Sequence, residues 1–403
     1  MMFKSRFVVP VDGPVIENGA VVIRDGRIAA VGRANELQGA PLIDYGDAVI
    51  CPGFVNAHTH LELTHLAGKV PPARDFVDWL MRLAGLLRAD PATEKNVAAA
   101  VCDGIKQSLS AGVTTIGDIT RRPTWSRGAL AASPLRAVSY GEVIAMGLLR
   151  DRLGERLEAA ASLEHQGSRL RTGISPHAPY TVEPDGLRAC AARARLLDAP
   201  LCIHVAETAE EALFTRAHSG PFAEALYKIG LADERIPLAG CGPVELCRAA
   251  DVLGPRTLLA HANYIDDGEM SVIAESGSSV AYCPRTHDAF GHPPHRFRDM
   301  LRAGINVCIG TDSLASNPSL SVLEELRFLH RRHPDMSADD LLAMGTIRGA
   351  AALGWQNEVG SLAVGKAADL VVIPLADENG WESVLESTQS PVAVYIDGVE
   401  YLK

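Results

Sequence analysis

The chain has 403 residues, 47% of them hydrophobic and 22% charged, with a formal net charge of −11. This length suggests about two or three structural units and permits a large core. The acidic balance, without any basic stripe, argues against a nucleic-acid-binding surface, and no apolar run approaches the roughly 20 residues needed to cross a bilayer.

In chain order, the amino terminus MMFKSRFVVP lacks the apolar h-region of a secretory signal, so a cytoplasmic protein is expected. The next segment, VIENGAVVIRDGRIAAVG, breaks apolar pairs with N-G and D-G and reads as hairpins. From Ile50 the texture changes. Eight short β-rich runs follow: VICPGFVNAH, GVTTIGDI, LRAVSYGEVI, RTGISPH, PLCIHVAE, TLLAHANY, SSVAYCP and INVCIGTDS. Helical segments separate them, among them 93–110, 184–197 and 296–303. Eight strands alternating with helices predict an α/β fold built on a closed (β/α)₈ TIM barrel. An open doubly wound sheet is the alternative, and no G-x-G-x-x-G follows an early strand to support it. After a helical stretch near 338–353 the chain returns to β, in VGSLAVGKAADLVVIPL and VAVYIDGVEYL. The economical arrangement is one small β-sandwich domain made from residues 1–51 and 358–403, with the barrel, 52–357, inserted between them.

Two connections are long, 61–88 after the first barrel strand and 208–248 after the fifth. Each is a candidate substrate-contacting segment, because barrel loops at the carboxyl ends of strands usually carry function. The eight cysteines form no C-x-x-C, and Cys202, Cys283 and Cys308 lie in apolar runs, so buried free thiols are expected.

The acidic and imidazole residues are not scattered. His58 and His60 end the first barrel strand, in N-A-H-T-H, and side chains two apart on a strand share a face. His177 ends the fourth strand in S-P-H-A-P-Y, His204 and Glu207 the fifth in H-V-A-E, His261 the sixth and Asp312 the eighth. In a barrel all of these converge on one mouth. A single such histidine is more often a packed residue than a ligand, but the set points to a metal. A divalent ion takes nitrogens from neutral imidazoles and an oxygen from a carboxylate, and His58, His60, His204 and Asp312 can supply them. Coordination lowers the pKa of water from about 16 to near 7 and so makes hydroxide at neutral pH. Glu207 is suited to carry protons from that water to the substrate. His261 can orient the nucleophile or the developing oxyanion, and Asp312 can accept a hydrogen bond from the water.

The ordered motifs P-G-F-V-N-A-H-T-H, I-H-V-A-E, L-L-A-H and I-G-T-D-S resemble the amidohydrolase superfamily in its deaminase and chlorohydrolase branch. The resemblance spans essentially the whole chain. It implies one metal on His58, His60, His204 and Asp312, zinc with iron as the alternative, Glu207 as proton shuttle and His261 as assistant to the attack. Two-metal relatives use a carboxylated lysine on strand four, and this strand, R-T-G-I-S-P-H, has none, which favours a single ion.

The resemblance also implies a small heterocyclic substrate, and a homodimer is compatible with it. Deamination of an adenine-type, guanine-type or pterin ring and hydrolysis of an s-triazine are the same attack on a C=N carbon, and a cyclic amidase is a further alternative. H-T-H-L-E-L-T, F-V-D-W-L, S-P-H-A-P-Y-T-V and C-P-R-T-H look most like deaminases of 6-aminodeoxyfutalosine, an adenine nucleoside with a benzoate arm. His177 is similar in position to a substrate-contacting histidine. His287 stands where many relatives have asparagine. Candidate contacts read from the residues are Glu142 for a ring nitrogen or ribose hydroxyls, Trp79 to cover a base, Arg285 to meet the benzoate, and His65 in the first long loop.

Overall fold

The computed structural model describes residues 1–38, 41–89, 92–376 and 379–402. Eight parallel strands occur in the expected order: Phe54–Thr59 (β1), Val113–Thr120 (β2), Arg136–Val143 (β3), Leu170–Pro176 (β4), Leu201–Val205 (β5), Thr257–His261 (β6), Ser279–Tyr282 (β7) and Val307–Ile309 (β8). Each pairs in parallel with the next. A parallel bridge from Thr59 to Asp312 links the first strand to the residues following the eighth. The strands are buried almost throughout, as their near-continuous apolar runs require when both faces are covered. Helices Glu94–Ser110 and Pro184–Leu197 lie where the sequence predicts them, and the stretch near 338–353 is two short helices, Ala338–Met344 and Ile347–Ala352. Thr93 caps the first of these by accepting from the Asn96 amide, which fixes its start.

The β-rich chain ends, expected as one small sandwich, come together as a single mixed sheet. Met2–Val8 pairs with Ile16–Arg24 and Ala48–Pro52, and Ala48–Pro52 pairs with Leu370–Pro374 from the other end of the chain. Residues of this sheet, such as Val49, Val371 and Ile396, share a continuous apolar core with the barrel's outer layer.

A second apolar core sits over the barrel mouth. It is built from the two long connections, with Phe76 and Trp79 of helix Phe76–Ala89 meeting Phe222 and Leu226 of helix Gly220–Lys228. Both connections therefore carry substantial secondary structure of their own. All eight cysteines are free, and six are buried. Among the described residues no helix is long and apolar enough to cross a membrane.

Candidate active site

At the carboxyl ends of the strands the predicted imidazoles meet. His58 lies 5.0 Å, ring centre to ring centre, from both His60 and His204, and 5.2 Å from His261. His60 Nε2 and His204 Nε2 are 3.2 Å apart. Asp312 Oδ1 lies 3.5 Å from His60 Nε2 and 3.7 Å from His58 Nε2. Two overlapping groups, His58–His60–His204 and His58–His261–Asp312, have ligand atoms close enough to hold one ion.

The surroundings decide what these groups can do. His58 is fully buried, and neither ring nitrogen has a hydrogen-bond partner, an expensive arrangement unless an ion occupies the space between the rings. Burial, reinforced by the neighbouring imidazoles, pushes the pKa values of His58, His60 and His261 well below the ordinary value, and that of His204 to about 4. Neutral imidazoles are the form that binds a metal. His204 turns its Nδ1 to the His177 carbonyl at 2.9 Å, which leaves Nε2 facing the cluster. Ser316 Oγ donates to Asp312 Oδ2 at 2.5 Å, so Oδ1 is the oxygen presented to the histidines. Such outer hydrogen bonds orient ligands, and the donor set fits a divalent ion of the zinc or iron type.

Glu207 lies two residues beyond β5, buried, with Oε1 3.5 Å from His261 Nε2. Burial, with Asp312 and Glu211 nearby, raises its pKa well above the usual carboxylate value. A carboxyl group so placed can both accept and return a proton. Glu211 accepts the Glu207 backbone N–H at 2.8 Å and so pins the turn, where Ala206 has φ +50°.

These groups open into a cavity of about 420 Å³. Its lining combines apolar residues, among them Leu80, Leu87, Leu149 and Ile229, with His177, Glu142, Glu62 and Arg121. His177 Nε2 is 3.8 Å from Glu142 Oε1, and its Nδ1 meets Thr181 Oγ1 at 2.7 Å. Trp79 lines the cavity while its indole N–H donates to the Val70 carbonyl at 2.9 Å.

Three candidate contacts lie elsewhere. Arg285 points to Ser319 and Glu325, with Nη1 3.0 Å from Ser319 Oγ and Nε 3.7 Å from Glu325 Oε1. His287 is buried against Tyr282, His292 and His295. His65 is exposed and lines a neighbouring 310 Å³ pocket that meets the main cavity at Glu62, Leu63, Leu87 and Arg121.

Sequence reasoning overlooked Glu62, held by Thr120 Oγ1 at 2.7 Å and the Arg121 amide at 3.1 Å, and the arginines Arg88, Arg121 and Arg156 on the same cavity. The spacing of Glu62, two after His60, was the available signal. The arginines gave none, because they converge from separate connections, Arg88 on helix Phe76–Ala89, Arg156 on helix Leu153–Ala160 and Arg121 just after β2.

The Amidohydrolase family model matches residues 49–400, a span that contains every strand of the barrel and every ligand candidate. The chain belongs to the amidohydrolase family. Within residues 19–40 this amidohydrolase also matches an imidazolonepropionase-like composite domain of bacteria. It is 32% identical over 397 residues to a 5-methylthioadenosine/S-adenosylhomocysteine deaminase of Moorella thermoacetica, covering 93% of this chain and 86% of that protein. Its structure is similar to that of an adenosine deaminase from Xanthomonas campestris with bound zinc, with TM-score 0.84, 25% identity, and coverage of 100% of this chain and 92% of that one. The fold is also that of Helicobacter pylori aminofutalosine deaminase in complex with methylthio-coformycin, with TM-score 0.86, 23% identity and full coverage of both chains.

Proposed function

We propose that this amidohydrolase is a metal-dependent aminohydrolase that deaminates an adenine-type nucleoside. The observation that carries the reading is His58, buried with both ring nitrogens unpartnered among His60, His204, His261 and Asp312, with Glu207 on the same cavity. The Moorella relative, a deaminase of adenine nucleosides by its name, supports the substrate class.

In this reading His58, His60, His204 and Asp312 hold one ion, zinc or iron, which lowers the pKa of a water toward 7 when bound. Glu207 would accept one proton of the attacking water and pass it to the ring nitrogen beside the attacked carbon, then take the remaining proton from the new hydroxyl and deliver it to the departing amine. His261, neutral and beside Glu207, donates a hydrogen bond to the developing oxyanion. Glu142 and His177 flank the base. A C–O bond forms, the C–N bond breaks, and one ammonia leaves for each water consumed.

The finer reading is a nucleoside whose 5′ arm carries negative charge, of which the benzoate arm of 6-aminodeoxyfutalosine is one example. Its support is the arginine rim. Arg121 and Arg156 line the cavity, and both, with Arg122 and Arg152, line the adjoining 490 Å³ pocket. Arg122 and Arg156 have no carboxylate ion-pair partner among the described residues, whereas Arg152 is paired with Glu155 and Arg121 lies 3.9 Å from Glu142. The Arg156 pKa is lowered by burial and then by Arg152 and Arg121. Like charges gathered against their own repulsion suit an anionic ligand.

The test is turnover of 5′-deoxyadenosine, methylthioadenosine and an adenosine 5′-carboxylate by zinc-loaded protein. The corresponding hypoxanthine nucleoside and ammonia should form from all three, fastest at low concentration from the carboxylate. Activity on a chlorotriazine but on no adenine nucleoside would overturn the reading.

A further inference from the structure

The stretch C-P-R-T-H-D-A-F-G-H-P-P-H places three histidines, His287, His292 and His295, outside the ligand group. They form a cluster in which His287 is buried and His292 and His295 are half-buried. The ring of His287 lies 5.3 Å from that of His292 and 5.5 Å from that of His295. His295 stacks on Tyr282, the last residue of β7, at 4.0 Å and 16°, while His292 Nδ1 meets Tyr264 Oη at 3.0 Å. His295 alone of the three reaches the catalytic strand end, with Nε2 2.8 Å from the His261 carbonyl oxygen.

That carbonyl belongs to an unusual piece of backbone. His261 has φ +73° and Ala262 φ +49°, consecutive left-handed conformations that non-glycine residues rarely adopt unless their surroundings hold them. The chain is clasped on the β5 side by Ala262 N donating to Val205 O at 3.0 Å and Tyr264 N to Ala206 O at 2.9 Å. His295 supplies the clasp on the opposite side. The residue is half-buried, and desolvation pushes its pKa down to about 4, so at neutral pH it carries one N–H. A carbonyl only accepts, hence that proton is on Nε2, and Nδ1 is the buried nitrogen left without a partner.

We propose that His295 is a positioning residue: by donating Nε2–H to the His261 carbonyl it holds the left-handed turn that aims the His261 imidazole at Glu207. The proposal rests on the reading of His261 as the group that assists attack. It also gives the histidine cluster a role: Tyr282 seats His295, His295 holds the strand end, and the ligand residues are left untouched.

The experiment compares wild type with His295→Ala, His295→Gln and His292→Asn as zinc-loaded proteins, with metal content measured on each. Loss of the clasp should lower kcat about 10- to 100-fold, the scale of a sub-ångström to ångström misplacement of a reacting group. KM should change less than about twofold, and zinc content should match wild type. His295→Gln, whose carboxamide N–H reaches roughly where Nε2 does, should restore most of kcat, and His292→Asn should keep wild-type kcat. Should the alanine variant fail to fold, the glutamine variant against His295→Asn, which is too short to reach, makes the same comparison. Wild-type kcat in His295→Ala, no recovery in His295→Gln relative to the alanine or asparagine variant, or an equal loss in His292→Asn would overturn the proposal. A readout independent of turnover is nitrogen NMR of histidine-labelled protein. It should show His295 protonated at Nε2; a proton on Nδ1 would refute the clasp whichever nucleoside the enzyme accepts.

Discussion

His58 and Glu207 divide the chemistry between a group that must be filled and a group that must move protons. His58 sits with two orphaned nitrogens in a fully buried site. Replacement by asparagine should therefore cost most of the bound zinc, measured by metal analysis after dialysis. Glu207→Gln keeps the shape but removes the proton acceptor. Its kcat should fall at least about 100-fold with zinc retained, and unchanged turnover would dismiss the shuttle role. The rim makes a different prediction. Arg156→Ala should raise KM about tenfold for a substrate with an anionic arm and little for 5′-deoxyadenosine, and added salt should narrow the gap between the two substrates. At this scale the sequence was informative where chemistry fixed the spacing. His58 and His60, two apart, could be read because strand geometry puts both on one face, and Glu207 because it lies just past the end of the strand that carries His204. Arg285 could not be judged from its neighbours in sequence, because its direction is set by Glu325, 40 residues on.

Strand ends hold the site together through contacts that leave no room for change. Gly310 follows β8, and a Cβ there would lie 2.8 Å from His58 Cβ and 2.9 Å from Cys283 Sγ. Gly310→Ala should displace the first strand from the eighth, lowering Tm by several degrees and weakening zinc retention in step. The link between β2 and the first long loop carries a pH signature. Asp118 accepts from the Leu61 amide at 2.9 Å and from Ser126 Oγ at 3.0 Å, and burial raises its pKa to about 7. In the unfolded chain this carboxyl ionises near pH 4, so from about pH 4 to 7 the folded state retains a proton that the unfolded state has lost. Its contribution to stability is thus greatest below pH 4, falls as pH rises, and levels off above 7. Between pH 5 and 7 wild type should lose about 1 kcal/mol per pH unit relative to Asp118→Asn; a pH-independent difference in denaturant unfolding would contradict this. The barrel strands themselves were legible as eight β-rich runs, whereas the apolar core over the mouth was not. It forms between Phe76 and Trp79 of one connection and Phe222 of the other, and such pairing has no local sequence signal.

Across the whole molecule, the two chain ends close one sheet beside a barrel whose strand ends collect the reactive groups. The alternation of strand and helix made the barrel readable, and the similar textures of the two ends made their union readable. The single mixed sheet was not, because register between strands some 320 residues apart, Ala48–Pro52 with Leu370–Pro374, is decided by packing. Family membership follows from the match over residues 49–400, and the reaction proposed here follows from what the mouth assembles. The most direct test is ammonia release from a 5′-substituted adenosine by the purified protein, with and without chelation. One hypoxanthine nucleoside and one ammonia are expected per turnover, abolished by chelator and restored by zinc. Failure of the zinc-loaded protein to release ammonia from any adenine nucleoside, or release that chelation leaves intact, would contradict the proposed reaction.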